Sequence, residues 1–152
     1  MTERFSLDSN VLIYSVDAAE GERQNRALEI LDLAVRGPCV LTTQALGEFA
    51  QVASRKRLVD KAMVLAQVRD WSAAFDVIGP DLTGMLQGLE LWNSKMVSVW
   101  DAILLATVES AGCTLLLSED LHDGGRFGGV TVLNPFKGKK LPKRVATALG
   151  LR

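Results

Sequence analysis

The 152-residue chain is 48% hydrophobic and 23% charged, and its 17 Lys and Arg against 18 Asp and Glu leave a formal net charge of -1. That composition describes one globular domain with a sizeable core. The charge excludes nucleic-acid binding by bulk electrostatics, so any phosphate-bearing partner has to be met by local patches or bridging metal ions.

In chain order, Phe5 and Leu7 mark a short buried strand, followed at once by Asp8-Ser9-Asn10: a carboxylate, a hydroxyl and an amide ahead of the apolar Val11-Leu12-Ile13. The carboxyl end of such a strand is where open α/β sheets place their ligand crevice, and Asp, Ser and Asn are equally good helix N-caps, so Asp8 has both a functional and a capping reading. Val11 to Val16 reads as a short helix, and Glu22 to Arg36 as a longer one with Ala27, Ile30, Leu31, Ala34 and Val35 on one face, ended by Gly37-Pro38. Cys39-Val40-Leu41 is a strand, and Thr42-Thr43 offers caps for a helix carrying Leu46, Phe49, Ala50 and Ala53, with Glu48 in its first half.

A further helix spans about Asp60 to Phe75, then Val77-Ile78 makes a short strand before Gly79-Pro80. Leu82, Met85, Leu86, Leu89 and Trp92 mark the next helix, and Ser98 opens one that runs through Val108 to a stop at Gly112. Thr114 to Leu117 is the clearest buried strand, and Val130 to Leu133 supplies the last one. Strands alternating with helices predict a mainly parallel, roughly five-stranded sheet covered on both faces. No apolar run is long enough to cross a bilayer and Met1-Thr2-Glu3-Arg4 lacks the core of a signal peptide, which predicts a cytosolic protein without a membrane partner. Cys39 and Cys113 each precede an apolar run and read as reduced, buried thiols.

Carboxylates recur at similar places: Asp8 after the first strand, Glu48 early in a helix, Asp101 at the start of another, and Asp120 just past the strand Thr114 to Leu117. Each has a structural reading of its own: a cap at Asp8, a solvent-facing helix residue at Glu48, a capping box with Ser98 at Asp101, a turn former at Asp120. The apolar setting of Trp100-Asp101-Ala102-Ile103-Leu104-Leu105-Ala106 favours function, because a buried carboxylate needs a cation or hydrogen bonds. Carboxylates converging on one crevice repel, and a hard divalent cation such as Mg²⁺ or Mn²⁺ resolves the repulsion. His122 is the only histidine, so neither a histidine pair nor a histidine-rich zinc site can be built; a phosphate loop and a Gly-x-Ser-x-Gly elbow are both missing. What is left is a carboxylate site whose bound ion activates water against a phosphodiester.

Four segments together resemble the PIN-domain family, and in particular the VapC-type toxins of bacterial toxin-antitoxin pairs. They are Leu7-Asp8-Ser9-Asn10-Val11-Leu12-Ile13-Tyr14, Thr43-Gln44-Ala45-Leu46-Gly47-Glu48, Trp100-Asp101-Ala102-Ile103, and Leu117-Ser118-Glu119-Asp120-Leu121 followed by Gly129 to Phe136. The resemblance covers roughly residues 5 to 136 and implies a three-layer α/β/α domain, taken as 1–136, with Mg²⁺- or Mn²⁺-dependent endonucleolytic cleavage of RNA; the basic tail, 137–152, lies beyond the family pattern. The catalytic residues implied are Asp8, Glu48, Asp101 and Asp120. Asp8, Asp101 and Asp120 would hold the metal, with Ser9, Asn10, Ser118 and Asp123 in support. Asp123 is also a rival for the last acidic position, although it precedes the turn-forming Gly124-Gly125.

A small antitoxin protein as partner and a homodimer are also implied, the latter through apolar faces such as Val64, Val68 and Trp71 or Leu86 and Leu89. The basic run Lys137 to Arg144 reads as a solvated terminus. Two other functions compete: a PIN-like module that binds RNA or a partner without cutting, against which the intact acidic set argues, and a haloacid-dehalogenase-like phosphatase. The phosphatase requires a second Asp where Asn10 stands.

Overall fold

Phe5–Leu7 forms the central strand, β1, of the computed structural model, which describes residues 3–152. Cys39–Thr42 (β2) pairs with β1 on one side and Asp76–Ile78 (β3) extends the sheet beyond it. Leu115–Leu117 (β4) pairs on the other side, followed outward by Val130–Leu133 (β6) and Arg126–Phe127 (β5). The order is β3-β2-β1-β4-β6-β5, parallel throughout except for β5, which runs antiparallel to β6. The sixth strand, beyond the roughly five expected, is only two residues long. It lies within Gly124-Gly125-Arg126-Phe127-Gly128-Gly129, where no apolar run announces it.

Among the described residues seven α-helices cover the two faces: Ser9–Ser15 (α1), Glu22–Ala34 (α2), Thr43–Arg55 (α3), Lys61–Ala74 (α4), Leu82–Ser94 (α5), Val99–Ser110 (α6) and Lys143–Ala148 (α7). The period of two in a strand decides which face each residue serves. Phe5, Leu7, Leu41, Leu115 and Leu117 join a core with Leu12, Ile30 and Phe49 from α1, α2 and α3. Val40, Leu116, Val130 and Val132 point the other way, to Leu104, Leu105 and Val108 of α6. Covering on both faces explains why β4 is apolar at every position. Each fully buried leucine of this kind stabilises the fold by roughly 1.5–3 kcal/mol.

Two surface expectations change, and a helix follows the solvated basic run. Val64 and Trp71 of α4 are buried, with Trp71 edge-on to Phe49 at 4.7 Å, so the Val64–Val68–Trp71 face is occupied within the chain's own core and is not a free surface for a second copy. Trp100 is 61% exposed despite its apolar neighbours, and burial along α6 begins at Ala102 and continues to Val108. The basic run is exposed at Lys137, Lys139 and Lys140, but after Pro142 the chain forms α7 and buries Val145, Ala148 and Leu149 in the first core. Arg144 on α7 donates two hydrogen bonds to Glu3, at 2.8 and 2.9 Å. Both cysteines are buried and free, and among the described residues no helix is long and apolar enough to cross a membrane.

Candidate active site

The sheet order makes β1 the point where the chain changes direction of winding: β2 and β3 lie to one side, β4 and β6 to the other. In open α/β sheets the crevice beyond the strand ends at such a point is the ligand site. Asp8 follows β1 directly and Ser118-Glu119-Asp120 follow β4 directly, so the register Leu7↔Leu117 brings both segments to that crevice. A backbone bond from Asp8 N to Leu117 O, 2.9 Å, closes the junction.

Asp8 is 4% exposed and uses its two oxygens differently. Oδ1 accepts from the Ser9 amide at 2.7 Å and caps α1, while Oδ2 accepts from the Ser118 hydroxyl at 2.7 Å. Capping and a place in the crevice are therefore properties of one side chain. Asn10, also buried, donates from Nδ2 to Asp120 Oδ2 at 3.3 Å and to Ser118 Oγ at 3.5 Å. Ser118 Oγ in turn accepts from the Asp120 amide at 3.1 Å.

Glu48 reaches the same place from α3, whose cap is Thr42 accepting from Ala45 N. Ser9 Oγ donates to Glu48 Oε2 at 2.8 Å, and Gln44, one turn earlier, donates to Oε1 at 3.1 Å. Gln44 also donates to the Trp100 carbonyl at 3.0 Å, which ties the start of α3 to the start of α6. Asp101 is the next residue, its amide held by the cap Ser98 at 3.1 Å. The four carboxylates thus range from the buried Asp8, through the half-buried Glu48 and Asp101, to the exposed Asp120.

Asp123 is turned away: Oδ1 accepts from the Asn134 amide at 2.8 Å and Oδ2 lies 3.6 Å from Lys137 Nζ. His122 is exposed. Sequence reasoning did not assign roles to Gln44, Tyr14 and Glu119. The signal for Gln44 was its spacing of one helical turn before Glu48.

Burial pushes the Asp8 carboxyl up to about 6; Ser118 and the Ser9 amide oppose the shift, and the charges of Glu48 and Asp120 add to it. Asp101 is also raised, first by burial, with Ser98 opposing and Asp120 and Glu48 adding. These groups feel one another's charge, and among the described residues none of the four carboxylates forms an ion pair with Lys or Arg. An oxygen-only, mutually repelling donor set fits a hard divalent cation. Among the described residues, no three His, Cys, Asp or Glu side chains stand in a geometry ready to hold one ion together. The carboxylates are engaged instead by Ser9, Gln44, Ser118 and Asn10.

The comparisons with known proteins agree with this architecture. The chain matches VapC20 of Mycobacterium tuberculosis, described as a sarcin-ricin-loop-cleaving toxin, with a TM-score of 0.61 and 16% identity over 76% of this chain and 89% of that one. It matches the DNA-bound VapBC structure from Salmonella typhimurium with a TM-score of 0.64 and 16% identity over 87% and 98%. A toxin-antitoxin complex from Klebsiella pneumoniae gives 0.62 and 19% over 86% and 97%. At such identities the likeness is one of fold. No curated protein matches the chain in sequence. The PIN domain sequence profile matches residues 6–122, a stretch that contains Asp8, Glu48, Asp101 and Asp120, and the chain belongs to the PIN-domain family.

Proposed function

We propose that the protein is a Mg²⁺- or Mn²⁺-dependent endoribonuclease, acting in the cytoplasm as the toxin of a type II toxin-antitoxin pair. The observation that carries the reading is that the charges of Glu48 and Asp120 add to the burial that raises both Asp8 and Asp101 beside the β1–β4 crevice, while among the described residues no Lys or Arg pairs with any of the four. Asp8, Asp101 and Asp120 would hold the ion, which when bound supplies an activated water and stabilises the leaving oxygen of the phosphodiester. Glu48, fixed from two sides by Ser9 and Gln44, orients the attacking water and takes up its proton. Ser118 and Asn10 hold Asp8 and Asp120 in register, the usual work of groups behind a metal ligand.

The VapBC and toxin-antitoxin complexes among the similar structures support a small antitoxin as partner, and a cationic side chain from it would compete with the metal for these carboxylates. A homodimer is part of the same reading. Leu82, Leu86 and Trp92 of α5, with Met96 and Trp100, are exposed and provide apolar area for it. The test is cleavage of a structured RNA by wild type and Asp8→Asn, with Mg²⁺ and with chelator. Cleavage confined to wild type with metal is expected, and cleavage that persists in chelator or in Asp8→Asn overturns the proposal.

A further inference from the structure

Glu119 stands between Ser118 and Asp120 and in sequence adds a fifth carboxylate to the crevice. The structure turns it out of the crevice. Its Oε1 accepts from the Tyr14 hydroxyl at 2.7 Å, and its Oε2 accepts from Arg23 Nε at 3.2 Å. Arg23 also lies 3.6 Å from Glu20 and over the Tyr14 ring, 5.8 Å from its centroid. The Tyr14 ring packs edge-on against Phe136 at 5.0 Å.

Tyr14 and Asn10 are four residues apart on α1, hence on one face of it. Asn10 holds Asp120 through Nδ2 and the Glu119 amide through Oδ1 at 3.4 Å, while Tyr14 holds the Glu119 side chain. One helix face therefore holds two consecutive residues, Glu119 and Asp120. Rotation of the Ser118–Asp120 segment, which would swing Asp120 away from Asp8, breaks the Tyr14 and Arg23 bonds.

We propose that Tyr14, Glu119 and Arg23 form a positioning brace that sets Asp120 against Asp8 for metal binding, Glu119 acting through its neighbour and not as a ligand. The inference rests on the metal-site reading of the preceding subsection. Outer groups that orient metal ligands typically change affinity 10- to 100-fold when removed. The same order is expected here, because Asp120 is the exposed member of the set and depends most on its supports.

The experiment measures Mn²⁺ affinity by titration of the full-length protein, together with amide hydrogen exchange at residues 118–121 without metal. Tyr14→Phe keeps the ring on Phe136 and removes only the hydroxyl. It should weaken Mn²⁺ binding roughly tenfold and speed the exchange. Glu119→Ala should do the same, while Glu119→Gln, which keeps an acceptor for Tyr14 but loses the one for Arg23, should recover only part of the loss. Unchanged affinity or unchanged exchange in Tyr14→Phe overturns the brace. Loss in Glu119→Ala with none in Tyr14→Phe makes Glu119 a ligand and also overturns it. A wild type that binds Mn²⁺ no better than Asp8→Asn fails at the metal site itself, a result distinct from variants that match a wild type able to bind.

Discussion

The Ser118 hydroxyl donates to Asp8 Oδ2 at 2.7 Å across the junction of β1 and β4, and the same oxygen accepts from the Asp120 amide at 3.1 Å. One fully buried hydroxyl thus spaces two carboxylate-bearing segments. Ser118→Ala removes the donor that opposes the upward shift of Asp8. The carboxyl should titrate higher still by NMR in chelator, and divalent affinity should fall roughly tenfold, as for other groups behind a metal ligand.

Asp8 gives a pH dependence whose sign follows from its raised carboxyl. Its value of about 6 lies above the ordinary value near 3.8. The folded metal-free protein therefore binds this proton more tightly than the unfolded chain. That contribution is fully present below about pH 4 and is lost as pH rises through 6. The gap corresponds to an upper bound of about 3 kcal/mol at neutral pH, reduced in practice because the amide of a substituted asparagine has only one oxygen to serve both Ser9 and Ser118. Asp8→Asn in chelator should be more stable than wild type at pH 7 by urea unfolding, with the advantage vanishing toward pH 4. Excess Mg²⁺ should reverse the order by stabilising only wild type. A variant less stable than wild type at pH 7 in chelator contradicts this.

Gly88 sets the approach of α5 to α6. A Cβ there would meet Ile103 Cα at 2.8 Å and Cγ1 at 2.9 Å, a contact with backbone that cannot swing aside. Gly88→Ala gains about 1 kcal/mol of helix propensity, but overpacking typically costs 1–3 kcal/mol. The variant should have a lower melting temperature, and a higher one would mean that the helices separate freely.

Much of this was legible in the sequence. β4 is legible because a strand covered on both faces is a continuous apolar run, Leu115-Leu116-Leu117, and α6 because its cap Ser98 precedes another such run. Asp8, Asp101 and Asp120 were visible because each follows or opens an element. The brace was not legible: Tyr14 and Arg23 meet Glu119 over separations of 105 and 96 residues, which periodicity does not report. α7 was hidden for a related reason. Its six residues are too few for a helical pattern, and Val145 and Ala148 are defined by the core they enter.

Arg144 and Val145 separate two ways of holding α7 down. The Arg144 pair with Glu3 is bidentate but partly exposed, the side chains being 43% and 27% accessible, so Arg144→Ala should cost no more than about 1 kcal/mol. Val145 is fully buried, and Val145→Ala removes two methyl-sized groups at about 0.8 kcal/mol each and leaves a cavity. Urea denaturation should rank Val145→Ala as the more destabilising. The opposite ranking would make α7 an electrostatic attachment.

Asp120 and Asp123 offer the sharpest separation within the site. Asp120 is tied to Asn10 and Ser118, the partners of the crevice, whereas Asp123 is tied to Asn134 and Lys137 in the loop after β6. Asp120→Asn removes a charge from the proposed metal set, so Mn²⁺ affinity and RNA cleavage should fall by more than the 10- to 100-fold of an outer group. In Asp123→Asn the side-chain oxygen can still accept from the Asn134 amide. Only the exposed pair with Lys137 is lost, worth about 0–1 kcal/mol. That variant should bind metal and cleave like wild type, with a small loss of stability. If Asp123→Asn loses more metal affinity than Asp120→Asn in the same buffer, the loop must fold back over the crevice when the ion binds, and Asp123 takes the position assigned here to Asp120.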